Sequence, residues 1–349
     1  MFIRNAWYVA AWSSDIGATP FARTILGEPI VLFRGADGAV AALEDRCCHR
    51  GLPLRFGTVA GNRIVCGYHG ATFDCAGKCV VIPGQERIPA GMAVRSYPVV
   101  EQDALVWIWT GDSDKADPSR IVSFPWHGTW PHLDHTQHVK CDWKLMIGNL
   151  MDLTHLAYVH GSTIGGDPAA HTTATFDVAP NDNGVKFTRW LLNTVPPALY
   201  VDAIGFKGTV DRWMEFEFIA PGSVRQYTGA VDAGTGACES DKREGGFMLR
   251  VFHNVTPETE TSCFYFWSAC HGYRMDDPQV TRDLFEGLRI TFREDEDILE
   301  AQQASLSRKP APLVSTVHDR AVVHAERVMR QRVEQEQAAL AAPRLQVHG

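Results

Sequence analysis

Two short segments early in the chain each pair a cysteine with a histidine. They read Cys47-Cys48-His49 and Cys66-Gly67-Tyr68-His69, with sixteen residues between them. Thiolates and imidazoles at such spacing suit zinc or an iron–sulfur cluster. A structural zinc finger usually takes two cysteines from one arm and two histidines from the other, whereas each arm here offers one of each. Two cysteines on one iron and two histidines on the other make a Rieske [2Fe–2S] cluster. The pattern therefore predicts an electron relay, with zinc binding or ordinary buried side chains as the alternatives.

A second group of candidate ligands follows about ninety residues later. A helical pattern starts near Trp143, and Asn149, Asp152 and His155 step by three residues along it, so they are expected to share one helical face. His160 comes five residues after His155, about 140° around an ideal helix. If both histidines bind one ion, the helix must distort or end between them. Two imidazoles and a carboxylate form the facial triad of non-haem Fe(II) oxygenases. Core histidines on an amphipathic helix are the alternative.

A late acidic run supplies candidate carboxylates for such a triad. It extends from Glu294 to Glu300 on a strong helical pattern predicted from about Val280 to Ser307. Most of these side chains are expected to form a solvated charged face. The hypothesis is that one of them faces inward, and spacing alone does not choose between Asp295 and Asp297.

Five other histidines and cysteines are assigned no metal. His132, His135 and His138 are also spaced by three residues, but no carboxylate or cysteine pattern accompanies them, so we interpret them as polar surface or linker. Cys75 and Cys79 bracket a predicted hairpin turn and are interpreted as two reduced thiols.

These candidate ligands require two different structural settings. Residues 29–34 and 104–109 are examples of the short strands expected around the first group, and the polar, proline-containing residues 112–119 are expected to be a linker. A chain of 349 residues is long enough for about two domains. We predict an all-β cluster domain over residues 1–120 and a mononuclear-iron domain over residues 121–349.

Composition excludes several classes of function. The net charge of −8 argues against a nucleic-acid-binding surface. No apolar run reaches the ~20 residues that a membrane-spanning helix needs. The first residues lack a charged and then apolar leader, so a cytoplasmic location is expected. Without such a leader, the nine cysteines favour metal or redox chemistry over a disulfide scaffold.

Taken together, C-x-H-x16-C-x2-H and N-x2-D-x2-H-x4-H resemble the oxygenase component of Rieske non-haem iron aromatic oxygenases. The resemblance is closest to the vanillate O-demethylase, dicamba O-demethylase and toluenesulfonate methyl-monooxygenase group, and it covers nearly the whole chain. It implies an α+β fold, in which an all-β Rieske domain precedes a helix-grip (START-like) domain with a curved antiparallel sheet and long helices. One departure is Cys48, where the family usually has proline, and it removes no ligand.

The resemblance also implies a role for each matching position. The implied ligands are Cys47, His49, Cys66 and His69 for one [2Fe–2S] cluster, and His155, His160 and Asp295 for one mononuclear Fe(II). Asp152 would link the Rieske histidine of one subunit to the iron-ligand histidine of its neighbour, which implies a head-to-tail homotrimer. Asn149 would lie close to the iron, where its role would be orientation rather than strong ligation of the metal.

The implied activity is that of the terminal oxygenase of a two-component monooxygenase. The sequence has no G-x-G-x-x-G fingerprint for dinucleotide binding, so an NAD(P)H-dependent flavin/iron–sulfur reductase is the expected partner. With O2, the enzyme would demethylate a methoxybenzoate or hydroxylate the methyl group of a toluenesulfonate. His253 aligns with a position that contacts the substrate carboxylate in the dicamba relative, and Arg212, Arg225 and Arg250 are further candidates for binding an anion.

Two other functions are compatible with parts of this pattern. One is a ring-hydroxylating or cis-dihydroxylating Rieske dioxygenase, which usually has a longer large subunit. The other is a Rieske electron-transfer protein without oxygenase activity, which the second group of ligands argues against.

Overall fold

The computed structural model describes residues 1–341, so residues 342–349 of the predicted second domain lie outside the described residues. The described chain forms two compact units. The first comprises Phe2–Ser123 and Thr256–Glu260, and the second comprises Met1, Phe124–Val255 and the residues from Thr261 onward. Among the described residues, no helix combines the length and the apolar character that crossing a membrane requires.

The first unit is built from short antiparallel strands. These are β1 (Trp7–Trp12), β2 (Phe21–Ile25), β3 (Glu28–Arg34), β4 (Val40–Glu44), β5 (Thr58–Val59), β6 (Arg63–Val65), β7 (Thr72–Asp74), β8 (Cys79–Val81), β9 (Ser96–Tyr97), β10 (Val99–Gln102) and β11 (Leu105–Trp109). They form three sheets, in the orders β1-β11-β10, β2-β3-β4-β9 and β5-β6-β7-β8. The predicted all-β module is therefore what this part of the chain forms.

A small apolar core underlies the β3–β4 and β5–β8 sheets. It contains Phe33, Leu54 and Phe73, all with 0% of their surface exposed. Cys47, which follows β4, and Cys66, which follows β6, belong to the same core. The two cysteines are thus anchored in the packed interior by the strands that precede them.

The second unit is a sheet with helices. Its strands are β12 (His132–Val139), β13 (Phe176–Asn181), β14 (Gly184–Thr194), β15 (Val210–Ile219), β16 (Ser223–Asp232), β17 (Phe247–Thr259) and β18 (Ser262–His271). Its helices are α1 (Trp143–Met151), α2 (Leu156–Val159), α3 (Pro168–Thr173), α4 (Ala198–Ile204), α5 (Ala237–Ser240), α6 (Pro278–Arg308) and α7 (Arg320–Ala341). The strands form one antiparallel sheet in the order β12-β18-β17-β16-β15-β14-β13.

The long helix α6 packs against β12 and β18, and α1 packs against both α6 and α7. The predicted helix from about Val280 to Ser307 is confirmed, and it begins at Pro278, where the Asp277 side chain accepts from the Gln279 N–H. The buried residues of α6 recur at helical spacing, for example Leu284, Leu288 and Leu299. Asp295 falls within this apolar stripe, so the helix turns that carboxylate inward.

Candidate active site

The two segments that pair cysteine with histidine adopt the same backbone geometry. In each, the cysteine N–H donates to the carbonyl oxygen five residues later, and a glycine N–H donates to the cysteine carbonyl oxygen, at 2.8–3.0 Å. The glycines, Gly51 and Gly70, both have φ of +74°, a conformation that favours glycine. Because the loops are alike, Cys47 and Cys66 occupy equivalent positions.

The four predicted cluster ligands lie together and divide by depth. Cys47 and Cys66 are 2% and 3% exposed, and burial raises the pKa of the Cys47 thiol to about 11, with the Cys66 thiol nearby adding to the effect. The rings of His49 and His69 lie on the surface with their centroids 4.8 Å apart. Two thiols inside and two imidazoles outside fit a [2Fe–2S] cluster with an inner and an outer iron.

The remaining cysteines of this region have other surroundings. Cys48 is exposed, and its Sγ lies 3.7 Å from the Sδ of Met92. Cys75 is exposed and Cys79 is buried, and their thiols contact different backbone carbonyls. These two thiols do not form a disulfide with each other, and their reduced state stays a prediction.

The second group of ligands is positioned by a break in the helix. Helix α1 ends at Met151, and Asp152 is already extended, with φ −105° and ψ 107°. The prediction that Asn149, Asp152 and His155 share one helical face is therefore wrong. The Asp152 carboxylate stabilises this break, because it accepts from the N–H and the hydroxyl of Thr154 at 2.8 and 2.6 Å. His155 and His160 then flank the single turn α2, which brings their rings to 5.2 Å centroid separation.

The three side chains of the predicted triad converge on one point. His160 Nε2 lies 3.1 Å and His155 Nε2 lies 3.4 Å from Asp295 Oδ1. The three ligand atoms lie within 4.8 Å of one another, a spacing that could hold a metal ion. Asp297, the alternative carboxylate, is exposed and pairs with Arg293 at 3.2 Å.

The other ring nitrogens of the two histidines are held by the protein. His155 Nδ1 hydrogen-bonds the backbone carbonyl of Asp152, and His160 Nδ1 lies 2.8 Å from the carboxylate of Glu294. Ligating histidines usually donate their second ring N–H in this way, which turns Nε2 toward the metal. The role of Glu294 was missed by sequence reasoning, although its place next to Asp295 could have suggested it.

The electrostatics of the triad favour a positive charge at its centre. Burial alone would raise the pKa of Asp295, but hydrogen bonds and charge from His155 and His160 outweigh it and hold that pKa well below its usual range. Burial alone would lower the pKa of His160, but Asp295 and Glu294 raise it. Two imidazoles and a carboxylate around a site that favours a cation fit Fe(II). Asn149 donates to Asp295 Oδ1 at 2.9 Å, which orients that carboxylate.

The triad lies in the wall of a cavity between the sheet and the helices of the second unit. The cavity encloses about 590 Å³ of space not filled by atoms, part of which is continuous with solvent. Its apolar lining includes Leu150, Leu153, Leu156, Met214, Phe216, Leu249, Val251, Leu288 and Phe292. Its polar lining outside the triad is Asn149, Tyr200, Arg212, Gln226, Thr228 and His253.

His253 lines this cavity as a neutral ring. It is 1% exposed, and burial lowers its pKa to about 3. Its Nδ1 lies 2.6 Å from the Tyr265 hydroxyl and its Nε2 lies 2.8 Å from Gln226 Oε1. The ring can therefore accept from Tyr265 and donate to Gln226. Sequence reasoning missed both partners, because they come from neighbouring strands.

The three candidate arginines separate by strand face. Arg212 is 3% exposed and lines the cavity. Arg225 precedes the cavity-lining Gln226, so it lies on the opposite face of the sheet, where it pairs with Glu217 at 2.6 Å. Arg250 also lies on the opposite face and stacks 4.7 Å from the Tyr227 ring.

The histidines spaced by three in β12 do not form a metal face. Because side chains alternate along a strand, His132 and His138 lie on one face and His135 lies on the other. The ring of His135 contacts the rings of Trp267 and Phe285.

Comparisons with known proteins agree with this geometry. Residues 6–98 match the family model of the Rieske [2Fe-2S] domain, and residues 139–335 match that of the vanillate O-demethylase oxygenase C-terminal domain. The chain belongs to the vanillate O-demethylase family of Rieske oxygenases. The family and the α+β fold class predicted from the motifs are thus confirmed, and the chain is an oxidoreductase with a Rieske domain.

Individual relatives of this Rieske oxygenase span nearly its full length. The toluene-4-sulfonate monooxygenase system iron-sulfur subunit of Comamonas testosteroni is 40% identical, over 91% of this chain and 93% of its own. A crystal structure of dicamba monooxygenase bound to 3,6-dichlorosalicylic acid superposes with a TM-score of 0.91 at 33% identity, covering 97% of this chain and 99% of that chain. Another, with non-haem iron and dicamba, has a TM-score of 0.82 at 31% identity and the same coverage.

Proposed function

We propose that this chain is the terminal oxygenase component of a two-component monooxygenase that oxidises a methyl or O-methyl group of a small aromatic acid. One observation carries the proposal. His155, His160 and Asp295 present their ligand atoms into a cavity that is otherwise lined mainly by apolar side chains. The relatives act on toluene-4-sulfonate and dicamba according to their names, and both are substituted aromatic acids.

We assign each proposed metal centre to one of the two groups of side chains that lie close together. Cys47, His49, Cys66 and His69 would hold the [2Fe–2S] cluster, and His155, His160 and Asp295 would hold one Fe(II). When bound, the cluster supplies single electrons and the iron supplies activation of O2. The structure of a relative with non-haem iron supports the second assignment.

The chain's own residues orient the reactants and exclude water. Leu150, Leu156 and Phe292 line the same cavity as the triad, and their apolar side chains would help to exclude water from the reacting carbon. Asn149 and Glu294 fix the orientation of Asp295 and His160. Gln226, held by His253, is available to contact the substrate from the sheet.

The reaction consumes two electrons, which this chain must receive from outside. Demethylation of an aryl methyl ether balances as ArOCH3 + O2 + 2e⁻ + 2H⁺ giving ArOH, HCHO and H2O. We propose an NAD(P)H-dependent reductase as the electron donor.

We also propose a homotrimer in which Asp152 connects the cluster of one subunit to the iron of its neighbour. We assign residues 1–120 to the cluster domain and residues 121–349 to the catalytic domain, and in the described chain residues 121–123 and Thr256–Glu260 also belong to the first compact unit.

The proposal is tested by product analysis with a surrogate reductase. The substrate panel is 4-methoxybenzoate, 3-methoxybenzoate, 4-methylbenzoate and 4-toluenesulfonate. Formaldehyde with a phenol is expected from a methoxy substrate, and a benzylic alcohol from a methyl substrate. A cis-dihydrodiol from any member of the panel would instead establish a ring dioxygenase. NADH oxidation without any oxidised product across the panel would contradict the proposal.

A further inference from the structure

A buried positive charge lines the cavity on the side of β15. The Arg212 side chain is 3% exposed, and it lines the same cavity as the triad. Its guanidinium stacks on the ring of Tyr200, with Cζ 4.9 Å from the ring centroid. A guanidinium stays charged in proteins, so this is a permanent positive charge in the interior.

Among the described residues, Arg212 has hydrogen-bond acceptors but no counter-ion. Its Nη1 donates to the Gly165 carbonyl at 3.2 Å and its Nη2 donates to the Ile164 carbonyl at 3.1 Å. Its buried Nε has no hydrogen-bond partner. Within residues 1–341, no carboxylate forms an ion pair with it. Burying a charge is costly unless an opposite charge or full hydrogen bonding compensates, so this guanidinium favours an anion beside it.

The surroundings of Arg212 show that its charge is not neutralised nearby. Burial, and then the charge of Arg212, lower the pKa of His171 to about 4. The pKa of the neighbouring Arg189 is lowered to about 10, mainly by burial, which the charge of Asp152 opposes and that of Arg212 reinforces. The charge of Arg212 is therefore felt by both neighbouring side chains, in addition to the larger effect of burial.

The other polar part of the cavity cannot supply the same interaction. Arg212 lies four residues before Phe216, which pairs with Gln226, so along the sheet the two polar positions are about 13 Å apart. His253, beside Gln226, is a neutral ring with both nitrogens engaged. Among the described residues that line the cavity, Arg212 is the only one with a permanent positive charge.

We propose that Arg212 is the specificity-determining residue that binds the oxyanion of the aromatic acid, a carboxylate or a sulfonate. The Nη–H groups that are not bonded to the loop carbonyls donate to the oxyanion, and the charge of the oxyanion balances that of the guanidinium. Two fixed carbonyls and the Tyr200 ring hold the guanidinium in place before substrate arrives. The inference rests on the proposed function for the identity of the acid.

The test measures binding and turnover separately in holoprotein. Calorimetric titration with benzoate and benzenesulfonate, against neutral benzamide, needs no turnover and separates carboxylate from sulfonate. Arg212→Gln keeps hydrogen-bond donors for the loop but removes the charge. We expect it to weaken binding of at least one of the two anions by about 10- to 100-fold and to change benzamide binding by less than about threefold. The matched control, Arg225→Gln, removes a charge from the opposite face and should leave all three affinities unchanged.

Turnover provides the second readout. For the preferred acid, Arg212→Gln should raise KM by a similar factor with a smaller effect on kcat, and it should leave the turnover of the corresponding neutral amide unchanged. Equal losses for acid and amide, or equal wild-type affinities for benzamide and both anions, would show that Arg212 only holds the loop at Ile164 and Gly165, and would overturn the inference. If Arg212→Gln does not fold, the wild-type comparison of anions with benzamide decides. Absence of any oxidised product would count against the proposed function alone.

Discussion

At the scale of single residues, Cys47 and Cys48 are neighbours in the chain with opposite surroundings. The Cys47 thiol belongs to the apolar core beside Cys66, whereas Cys48 is exposed. Sequence spacing already favoured Cys47, because the second arm could be matched to it. The structure adds the physical reason, which is that only the buried thiol shares a pocket with the second one.

This difference predicts that serine has opposite effects on the cluster at the two positions. Cys47→Ser should abolish the visible absorption and the electron paramagnetic resonance signal of the Rieske cluster, because it replaces a soft thiolate ligand with a hydroxyl. Cys48→Ser should retain both signals and the cluster iron. Loss of the cluster in Cys48→Ser, or its retention in Cys47→Ser, would contradict the ligand assignment.

Other single residues could not be found from the sequence. Gln226 and Tyr265 contact His253 from neighbouring strands, although they are 27 and 12 residues from it in the sequence. Nothing in their local sequence pattern marks them as its partners. The choice between Asp295 and Asp297 also required the structure. Both are acidic residues on the same helix, and only the position of the apolar stripe turns Asp295 inward.

At the scale of elements, the iron site depends on the chain between α1 and α3. The sequence indicated that the helix must distort or end between the two histidines, and α2 does end at Val159, just before His160. A further break comes earlier, at Asp152. Local hydrogen bonding explains this, because an aspartate whose carboxylate accepts from Thr154 competes with helix propagation. Such competition cannot be judged from hydrophobic spacing.

Two glycines after His160 provide a matched test of this arrangement. A Cβ at Gly165 would lie 2.5 Å from the Leu156 carbonyl oxygen and 2.9 Å from that of His160, so alanine there must displace α2 or the loop. At Gly161 the nearest atom would be 3.4 Å away, an ordinary contact. We expect Gly165→Ala to reduce mononuclear iron content and turnover at least tenfold, because a 1 Å displacement of a ligand costs about that much or more.

Iron analysis and turnover of the two variants check this prediction. Gly161→Ala should remain within about twofold of wild type for both quantities. Wild-type iron content and turnover in Gly165→Ala would show that the loop after His160 does not position the ligand.

At the scale of the whole molecule, the two-domain class was predictable because each domain carries its own periodicity and its own motif. The order of the strands was not, since β12 pairs with β18 across more than a hundred intervening residues. Contacts of that range depend on how the sheet closes over the helices rather than on local pattern.

Stability should depend on pH through His171. The folded-state pKa of about 4 lies below the ordinary value of 6.5, so between these values the unfolded chain binds a proton that the folded chain does not. The free energy of unfolding therefore falls as pH is lowered from 6.5 towards 4, by up to about 1.4 kcal/mol per pH unit from this group. Below pH 4 the contribution stops changing.

Urea unfolding of the holoprotein, followed by far-ultraviolet circular dichroism at pH 6.5, 5.5 and 4.5, measures this dependence. His171→Gln lacks the titrating ring, and its unfolding free energy should decrease less than that of wild type across the same range. Parallel pH curves for the two proteins would contradict the assignment.

The most direct test of the whole account is iron content and single-turnover product formation in Asp295→Ala, with Asp297→Ala as the matched control on the same helix. We predict that Asp297→Ala holds about three irons per chain and oxidises the methyl or methoxy substrate like wild type. Asp295→Ala should keep about two irons with an intact Rieske spectrum and form no product. Wild-type iron content and product formation in Asp295→Ala would contradict the claim that this cavity is the oxygenase active site.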